Sequence, residues 1–183
     1  MLKNRTVIIT GAASGIGKEI VKQCLHEGAS VIACDINENA LQELKRSMDD
    51  HYVLHTYQLD VSKYEEVTNF FVYVETEHAD VDSLVNNAGI YLAKNILDYQ
   101  ADQIDKVLDI NIKDFIYFSQ MFGKKLLKSQ RKGVIVNMSS VSGIEGSSAA
   151  IYELSKAAIL GLTKSNAMNF SLTSELMLLR LRW

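Results

Sequence analysis

A tyrosine and a lysine stand four residues apart near the end of the chain, in the stretch IYELSKAAILGLTKS. On a helix, Tyr152 and Lys156 lie on one face with their side chains within reach of each other. Free tyrosine has a pKa of about 10 and is a poor acid or base near pH 7. An ammonium about 4 Å away would stabilise a phenolate by roughly 4 kcal/mol at an effective dielectric constant of 20. The pair could therefore transfer a proton, or it could be the solvated polar edge of an apolar helix.

A glycine-rich stretch near the start, TGAASGIG, could hold a phosphate. We expect Gly11 to allow a tight turn, Gly15 to let the backbone approach a pyrophosphate, and Gly17 to let a helix pack on a strand. The spacing is Gly-x-x-x-Gly-x-Gly rather than the commoner Gly-x-Gly-x-x-Gly. A glycine cluster alone often marks a simple turn, but the apolar strand before it and the amphipathic helix after it favour a phosphate-binding loop.

Asp35 ends the second predicted strand, 18 residues after Gly17. That offset is close to the ~20 residues at which an acidic side chain binds the adenosine ribose hydroxyls of a dinucleotide. The alternative is a solvated carboxylate at the end of a strand. A carboxylate at this place repels a 2′-phosphate, and neither the glycine-rich stretch nor the two residues after Asp35 supply a cation. The sequence therefore predicts NAD rather than NADP as the cofactor.

Short β-branched runs alternate with longer helical patterns along the whole chain, which is typical of βαβ units and a parallel sheet. We expect Asn37 to cap the second helix, and Ser62 and Glu65 to form a capping box at the third. Right-handed crossovers make such a chain an α/β fold, a Rossmann-like doubly wound sheet in three α/β/α layers. The predicted strands span residues 5–10, 29–35, 52–60, 81–89 and 133–140, and a long amphipathic helix spans about 103–130.

The composition suits a single globular domain over residues 1–183, with 48% hydrophobic residues and a net charge of −3. That charge gives no reason to expect a nucleic acid or an anionic membrane as partner. Cys24 and Cys34 have neither metal-ligand spacing nor a disulfide framework, and the four histidines share no motif. We therefore expect a reduced, cytoplasmic protein without a metal site.

The motifs taken together resemble the classical short-chain dehydrogenases/reductases. They occur in the order and approximate spacing of that family from residue 5 to about 170. The resemblance implies a Rossmann fold, hydride transfer between a nicotinamide and a secondary alcohol or ketone, and a Ser-Tyr-Lys site with an assisting Asn. The residues that carry it are Thr10-Gly11-x-x-x-Gly15-x-Gly17, Asp60-Val61, Asn86-Asn87-Ala88-Gly89, Asn111, Asn137-Met138-Ser139-Ser140 and Tyr152-x-x-x-Lys156.

Carried over to this chain, the resemblance makes Tyr152 the general acid/base and gives Lys156 a second role in holding the nicotinamide ribose. Ser140 would hydrogen-bond the substrate oxygen, with Ser139 as the alternative because the following loop is one residue shorter than usual. Asn111 would hold a water that relays protons to the lysine. The other expected cofactor contacts are Ser14 and Ile16 in the glycine-rich stretch, Asp60 and Val61 beside the adenine, and Asn86, Ala88 and Gly89 along the cofactor.

The resemblance also implies self-association, because in that family the long helix and the catalytic helix pair across a two-fold axis. We expect helices 103–130 and 152–170 to form this face, with Ile159 and Leu162 as contacts on the second. The alternative is that this apolar stripe packs only on the chain's own sheet.

The family pattern continues beyond Asn169, whereas this chain reads SLTSELMLLRLRW and contains no proline. We expect a truncated dehydrogenase with an atypical tail over 171–183, lacking the substrate lid and the last strands. The fifth strand would then be an exposed edge of the sheet. The apolar tail could cover this edge as a helical extension, or it could remain exposed and prone to aggregate. The competing function is a non-catalytic nucleotide-binding fragment.

Overall fold

The chain folds around a six-stranded, wholly parallel sheet with the strand order β3-β2-β1-β4-β5-β6. The structure is a computed structural model that describes residues 1–170 and, as backbone, 174–181. The strands are β1 Thr6–Thr10, β2 Ser30–Asp35, β3 Leu54–Gln58, β4 Ser83–Asn86, β5 Gly133–Ser140 and β6 Ser174–Leu181. The helices are α1 Gly15–His26, α2 Glu38–Arg46, α3 Tyr64–Glu77, α4 Ala101–Leu108, a π-helical segment Asp109–Lys113, α5 Asp114–Ser129, α6 Ser142–Glu145 and α7 Ala150–Asn169, with a 3₁₀ turn at Ile96–Asp98.

Alternating residues of the central strands pack into two cores, one on each face of the sheet. Ile8 of β1 and Leu84 of β4 lie opposite each other and pack against the aromatic side chains of α3 and α5. Ile9 of β1 faces the other way and packs with Val21 of α1 and Leu41 of α2. The predicted three-layer Rossmann-like fold is confirmed.

The direction of strand addition reverses at β1, since β2 lies on one side of it and β4 on the other. Parallel sheets of this kind bind ligands at the carboxyl ends of the strands on either side of such a reversal. The residues that follow β1 and β4 therefore face a common crevice, and the fold positions the glycine-rich stretch beside the segment after Asn86.

The long helix predicted over 103–130 is confirmed as a continuous helical run, but it contains the π-helical segment Asp109–Lys113. This segment turns Asn111 inward, where its side chain is fully buried. Such single-turn insertions often mark functional sites.

The two predicted caps differ in outcome. The Asn37 side chain accepts a hydrogen bond from the Ala40 N–H, as expected. The Ser62 capping box is wrong, because α3 begins at Tyr64 and the Ser62 hydroxyl donates instead to Asp60 Oδ1 at 2.7 Å.

The expectation that β5 is an exposed edge is also wrong. β6 pairs with β5 in parallel along its whole length, from Gly133 opposite Ser174 to Ser140 opposite Leu181. The tail therefore adds the sixth strand that we expected to be missing, rather than a helical extension. The rest of the predicted tail, 171–173 and 182–183, lies outside the described residues.

Ile159 does not supply the self-association contact that the sequence suggested. Its side chain is fully buried within the chain, whereas Leu162 is half-buried. The larger exposed apolar side chains of the two helices are Ile116 and Leu127 on α5 and Leu154 and Met168 on α7.

Cys24 and Cys34 are free, buried thiols, and burial raises the pKa of both. Within the described part of the chain, no group of three His, Cys, Asp or Glu side chains is arranged to hold a metal ion. None of the helices described is long and apolar enough to cross a membrane.

Candidate active site

A cleft of about 430 Å³ opens at the carboxyl ends of the strands, on both sides of the reversal between β1 and β4. Most of the site residues predicted from the sequence line it, although they come from six separate parts of the chain. These are Gly11, Ser14, Gly15, Ile16, Gly17, Asp35, Asp60, Val61, Ala88, Gly89, Ser140, Tyr152 and Lys156. Asn86 and Asn111 do not line it and lie behind its wall.

The glycine turn needs its glycines for two different reasons. Gly11 and Gly15 have φ angles of +61° and +51°, a left-handed conformation that side chains with a Cβ adopt only under strain. Gly17 is required by space, since a Cβ there would lie 2.0 Å from the carbonyl oxygen of Gly11. The turn therefore folds tightly against the start of α1, and the first backbone N–H groups of a helix have no partner within the helix and suit an anion.

Thr10 and Asn87 hold this turn against the segment that follows β4. The Asn87 amide donates to the carbonyl oxygens of Thr10 and Gly11 at 3.0 and 3.1 Å. The Thr10 hydroxyl accepts from the backbone N–H groups of Asn87 and Ala88 at 3.0 and 3.1 Å. Both residues stood in the motifs quoted above, but only the fold shows that they join the two halves of the cleft.

The carboxylate of Asp35 lies at one end of the cleft and is fixed by the backbone. One oxygen accepts from the Ala13 N–H at 2.9 Å, and the other accepts from the Asn37 N–H at 3.0 Å. Since each carboxylate oxygen can accept more than one hydrogen bond, acceptor capacity remains for hydroxyl groups of a ligand. Asp35 thus orders the glycine turn as well as presenting a negative charge.

Tyr152 and Lys156 lie at the opposite end of the cleft, on one face of α7. The Lys156 ammonium is 5.8 Å from the centre of the Tyr152 ring and donates to the Met138 carbonyl oxygen of β5 at 3.0 Å. Lys156 is only 5% exposed. Burial lowers the pKa of its ammonium, and the negative charge of Asp114 opposes that change.

The two candidate serines at the end of β5 have different partners. The Ser139 hydroxyl donates to the backbone carbonyl of Lys156 at 2.7 Å and so ties β5 to α7. The Ser140 hydroxyl oxygen accepts from the Ser142 N–H at 3.2 Å. Its own hydrogen is therefore available to a ligand in the cleft, whereas that of Ser139 is committed.

Asn86 and Asn111 support the cleft from behind. The Asn86 amide donates to Asn137 on the neighbouring strand at 2.9 Å. The Asn111 side chain accepts from the Ile90 N–H at 2.8 Å and donates to the Ile90 carbonyl at 2.9 Å and to the Ser155 hydroxyl at 3.1 Å. Asn111 therefore joins the wall after Gly89 to the helix that carries Lys156.

These groups fit a nicotinamide dinucleotide. The glycine turn offers N–H groups to a pyrophosphate, and Asp35 offers carboxylate oxygens to ribose hydroxyls at one end. The Ser140 hydroxyl, the Tyr152 phenol and the Lys156 ammonium line the other end, where a proton could be transferred to or from a substrate oxygen.

Known proteins of one family resemble this chain in sequence and in fold. The short chain dehydrogenase family model matches residues 5–174. A 3beta-hydroxysteroid dehydrogenase 2 from Eggerthella lenta is 34% identical over 176 residues, which cover 93% of this chain and 67% of that protein. The chain spans about two thirds of the length of such curated relatives.

Solved structures give the same result. A short chain dehydrogenase from Mycobacterium smegmatis superposes with a TM-score of 0.92 at 26% identity, over 99% of this chain and 77% of its own. A 4-hydroxyisoleucine dehydrogenase complexed with NADH has a TM-score of 0.84 at 37% identity, over 91% of this chain and 68% of its own. The cleft and its motifs therefore lie in a chain that belongs to the short-chain dehydrogenase family of oxidoreductases.

Proposed function

We propose that this chain is an NAD(H)-dependent oxidoreductase that acts on a secondary alcohol or the corresponding ketone. One observation carries the proposal: Ser140, Tyr152 and Lys156 share a cleft with the glycine turn and Asp35, so proton-transfer groups and dinucleotide-binding groups border one space. The bound cofactor would supply or accept a hydride. The chain's own residues would bind, orient and move the proton.

In the direction of ketone reduction, negative charge develops on the substrate oxygen. The Ser140 hydroxyl would donate a hydrogen bond to that oxygen, and the Tyr152 hydroxyl would deliver its proton. Alcohol oxidation runs the same steps in reverse, with Tyr152 accepting the proton.

Lys156 would stabilise the negative charge of the phenolate that Tyr152 forms during this step. Its buried ammonium lies beside the Tyr152 ring, and a positive charge in a poorly solvated place stabilises a neighbouring negative charge more strongly than it does in water. The same ammonium lies close to Gly89, since a Cβ on Gly89 would be 3.6 Å from Lys156 Nζ. It can therefore also reach the ribose of a cofactor that lies along that segment.

NAD(H) should bind more tightly than NADP(H), because the Asp35 carboxylate would repel a 2′-phosphate. Titration of the purified chain with NADH and NADPH, followed by cofactor fluorescence, measures this preference. Asp35→Ser combined with Ile36→Arg should reverse it by removing the negative charge and adding a cation.

Ile36→Arg alone is the matched control, since it adds the cation but keeps the hydrogen bond from Ala13 to Asp35. It should leave NADH the preferred cofactor. Equal affinities of the unaltered chain for NADH and NADPH would contradict the assignment of Asp35.

We further propose that the chain associates with a second copy through the helices around 103–130 and 152–170. Ile116, Leu127 and Leu154 expose large apolar surfaces there, each more than two-fifths accessible. Light scattering should show an oligomer, and Leu154→Glu should shift it toward the monomer. Leu97→Glu, at an 89% exposed position in the 3₁₀ turn, should not. A monodisperse monomer of the unaltered chain at high concentration would contradict this proposal.

A further inference from the structure

Asp114 is a buried carboxyl group that the sequence motifs do not explain. It is the first residue of α5, directly after the π-helical segment, and its side chain is 0% exposed. One of its oxygens accepts a hydrogen bond from the Phe115 N–H. The other is buried and has no hydrogen-bond partner among the described residues. A carboxyl group in such a place either carries a proton or balances a nearby positive charge.

The geometry around Asp114 points to Lys156 as that charge. Phe115, the next residue, presents its ring 5.3 Å from the Lys156 ammonium. Asn111, one helical turn before Asp114, hydrogen-bonds Ser155, the residue before Lys156. The π-helical segment and the start of α5 are thereby held against the part of α7 that carries the lysine.

We propose that the Asp114 carboxylate is the counter-ion of Lys156 and keeps its ammonium protonated inside the protein. Burial raises the pKa of the Asp114 carboxyl and lowers the pKa of the Lys156 ammonium, and the opposite charge of each group counters the shift of the other. Among the described residues, Tyr152 on α7 also lies beside the ammonium, and β5 contributes the Met138 carbonyl oxygen that accepts its hydrogen bond. Asp114 would influence catalysis only by keeping the charge on Lys156, so it is a positioning residue and not a catalytic one.

This inference rests on the proposed function only where it concerns the role of Lys156 in catalysis. A protonated Lys156 can stabilise a phenolate, whereas a neutral amine cannot. The charge itself can be measured in the cofactor-free chain, so failure of the proposed oxidoreductase activity would not obscure the result.

The test is a pH titration of the Lys156 side chain by NMR, with ¹³C-labelled lysine. The Lys156 resonance is identified by its loss in Lys156→Arg. In Asp114→Asn, which keeps the shape and removes the charge, we expect the Lys156 pKa to fall by about one unit or more. Asp109→Asn is the matched control: its carboxylate pairs with Lys113 at 2.6 Å on the same helical run, and its loss should leave the Lys156 pKa unchanged.

An unchanged Lys156 pKa in a folded Asp114→Asn variant would overturn the proposal. Should that variant fail to fold, the ¹³C carboxyl resonance of Asp114 in the unaltered chain decides, once assigned through its own backbone amide. An ionised Asp114 at pH 7 supports the proposal, and a protonated one overturns it.

Discussion

Replacing Tyr152 by phenylalanine should abolish turnover while leaving NADH binding nearly unchanged. The substitution removes only the phenolic oxygen, so the ring, its edge-on contact with Tyr91 and the shape of the cleft remain. General acid/base catalysis contributes about 10²- to 10⁴-fold to a rate, and we expect a loss of at least about 100-fold. Lys156→Met should reduce both turnover and NADH binding, because one ammonium would serve both.

The measurement is turnover of a panel of secondary alcohols and ketones with NAD(H), together with NADH fluorescence to measure binding. Tyr64→Phe is the control, since Tyr64 lies on α3 and contacts Tyr117 rather than the cleft. Normal turnover by Tyr152→Phe would rule out the acid/base assignment. NADH binding without turnover of any panel member by the unaltered chain would favour the non-catalytic nucleotide-binding fragment.

Replacing Gly17 by alanine should damage both stability and cofactor binding. The new methyl group would lie 2.0 Å from the Gly11 carbonyl oxygen and 2.6 Å from the Asn87 amide nitrogen. Neither can yield freely, because Asn87 binds that carbonyl and the Thr10 carbonyl. Overpacking of this kind destabilises a fold by about 1–3 kcal/mol, and the turn that would hold the pyrophosphate must shift.

Gly161→Ala provides the matched comparison. Gly161 lies within α7, and apart from its chain neighbours and the adjacent backbone of its own helix, a Cβ there would meet no heavy atom within 4 Å. Alanine favours a helix interior over glycine by about 1 kcal/mol, so this variant should be as stable as the unaltered chain or more stable. Urea unfolding and NADH titration of both variants measure the contrast. A Gly17→Ala variant with unaltered stability and NADH affinity would contradict the close approach.

Much of the fold could be predicted because the signals are local. The five predicted strands all contain an observed strand, since short β-branched runs between helical patterns leave few alternatives. The prediction of a Ser62 capping box was wrong because the serine hydroxyl donates its hydrogen bond to Asp60, two residues away. The apolar tail could have been a helix or a buried strand, and periodicity alone does not distinguish the two over so short a run. Its pairing with β5 decided the matter.

The candidate site shows the same difference between local features, which could be predicted, and contacts between distant residues, which could not. The positions of Tyr152, Lys156 and the glycines could be predicted, because helical spacing and a turn are properties of neighbouring residues. The contacts of Thr10 with Asn87 and of Asn111 with Ser155 could not, because they join residues 77 and 44 positions apart. The proximity of Asp114 to Lys156 likewise requires the π-helical segment to be packed against α7.

The hydrogen bonds between Thr10 and Asn87 have a consequence for how a ligand would enter the cleft. The glycine turn and the wall after β4 are fastened to each other by the chain's own hydrogen bonds. Binding then requires little loss of backbone freedom on either side, and this ordering entropy is a main cost of association for loops that close around a ligand. The cleft is therefore preorganised, and its affinity for a ligand would be determined by the groups that line it rather than by the closing of a loop.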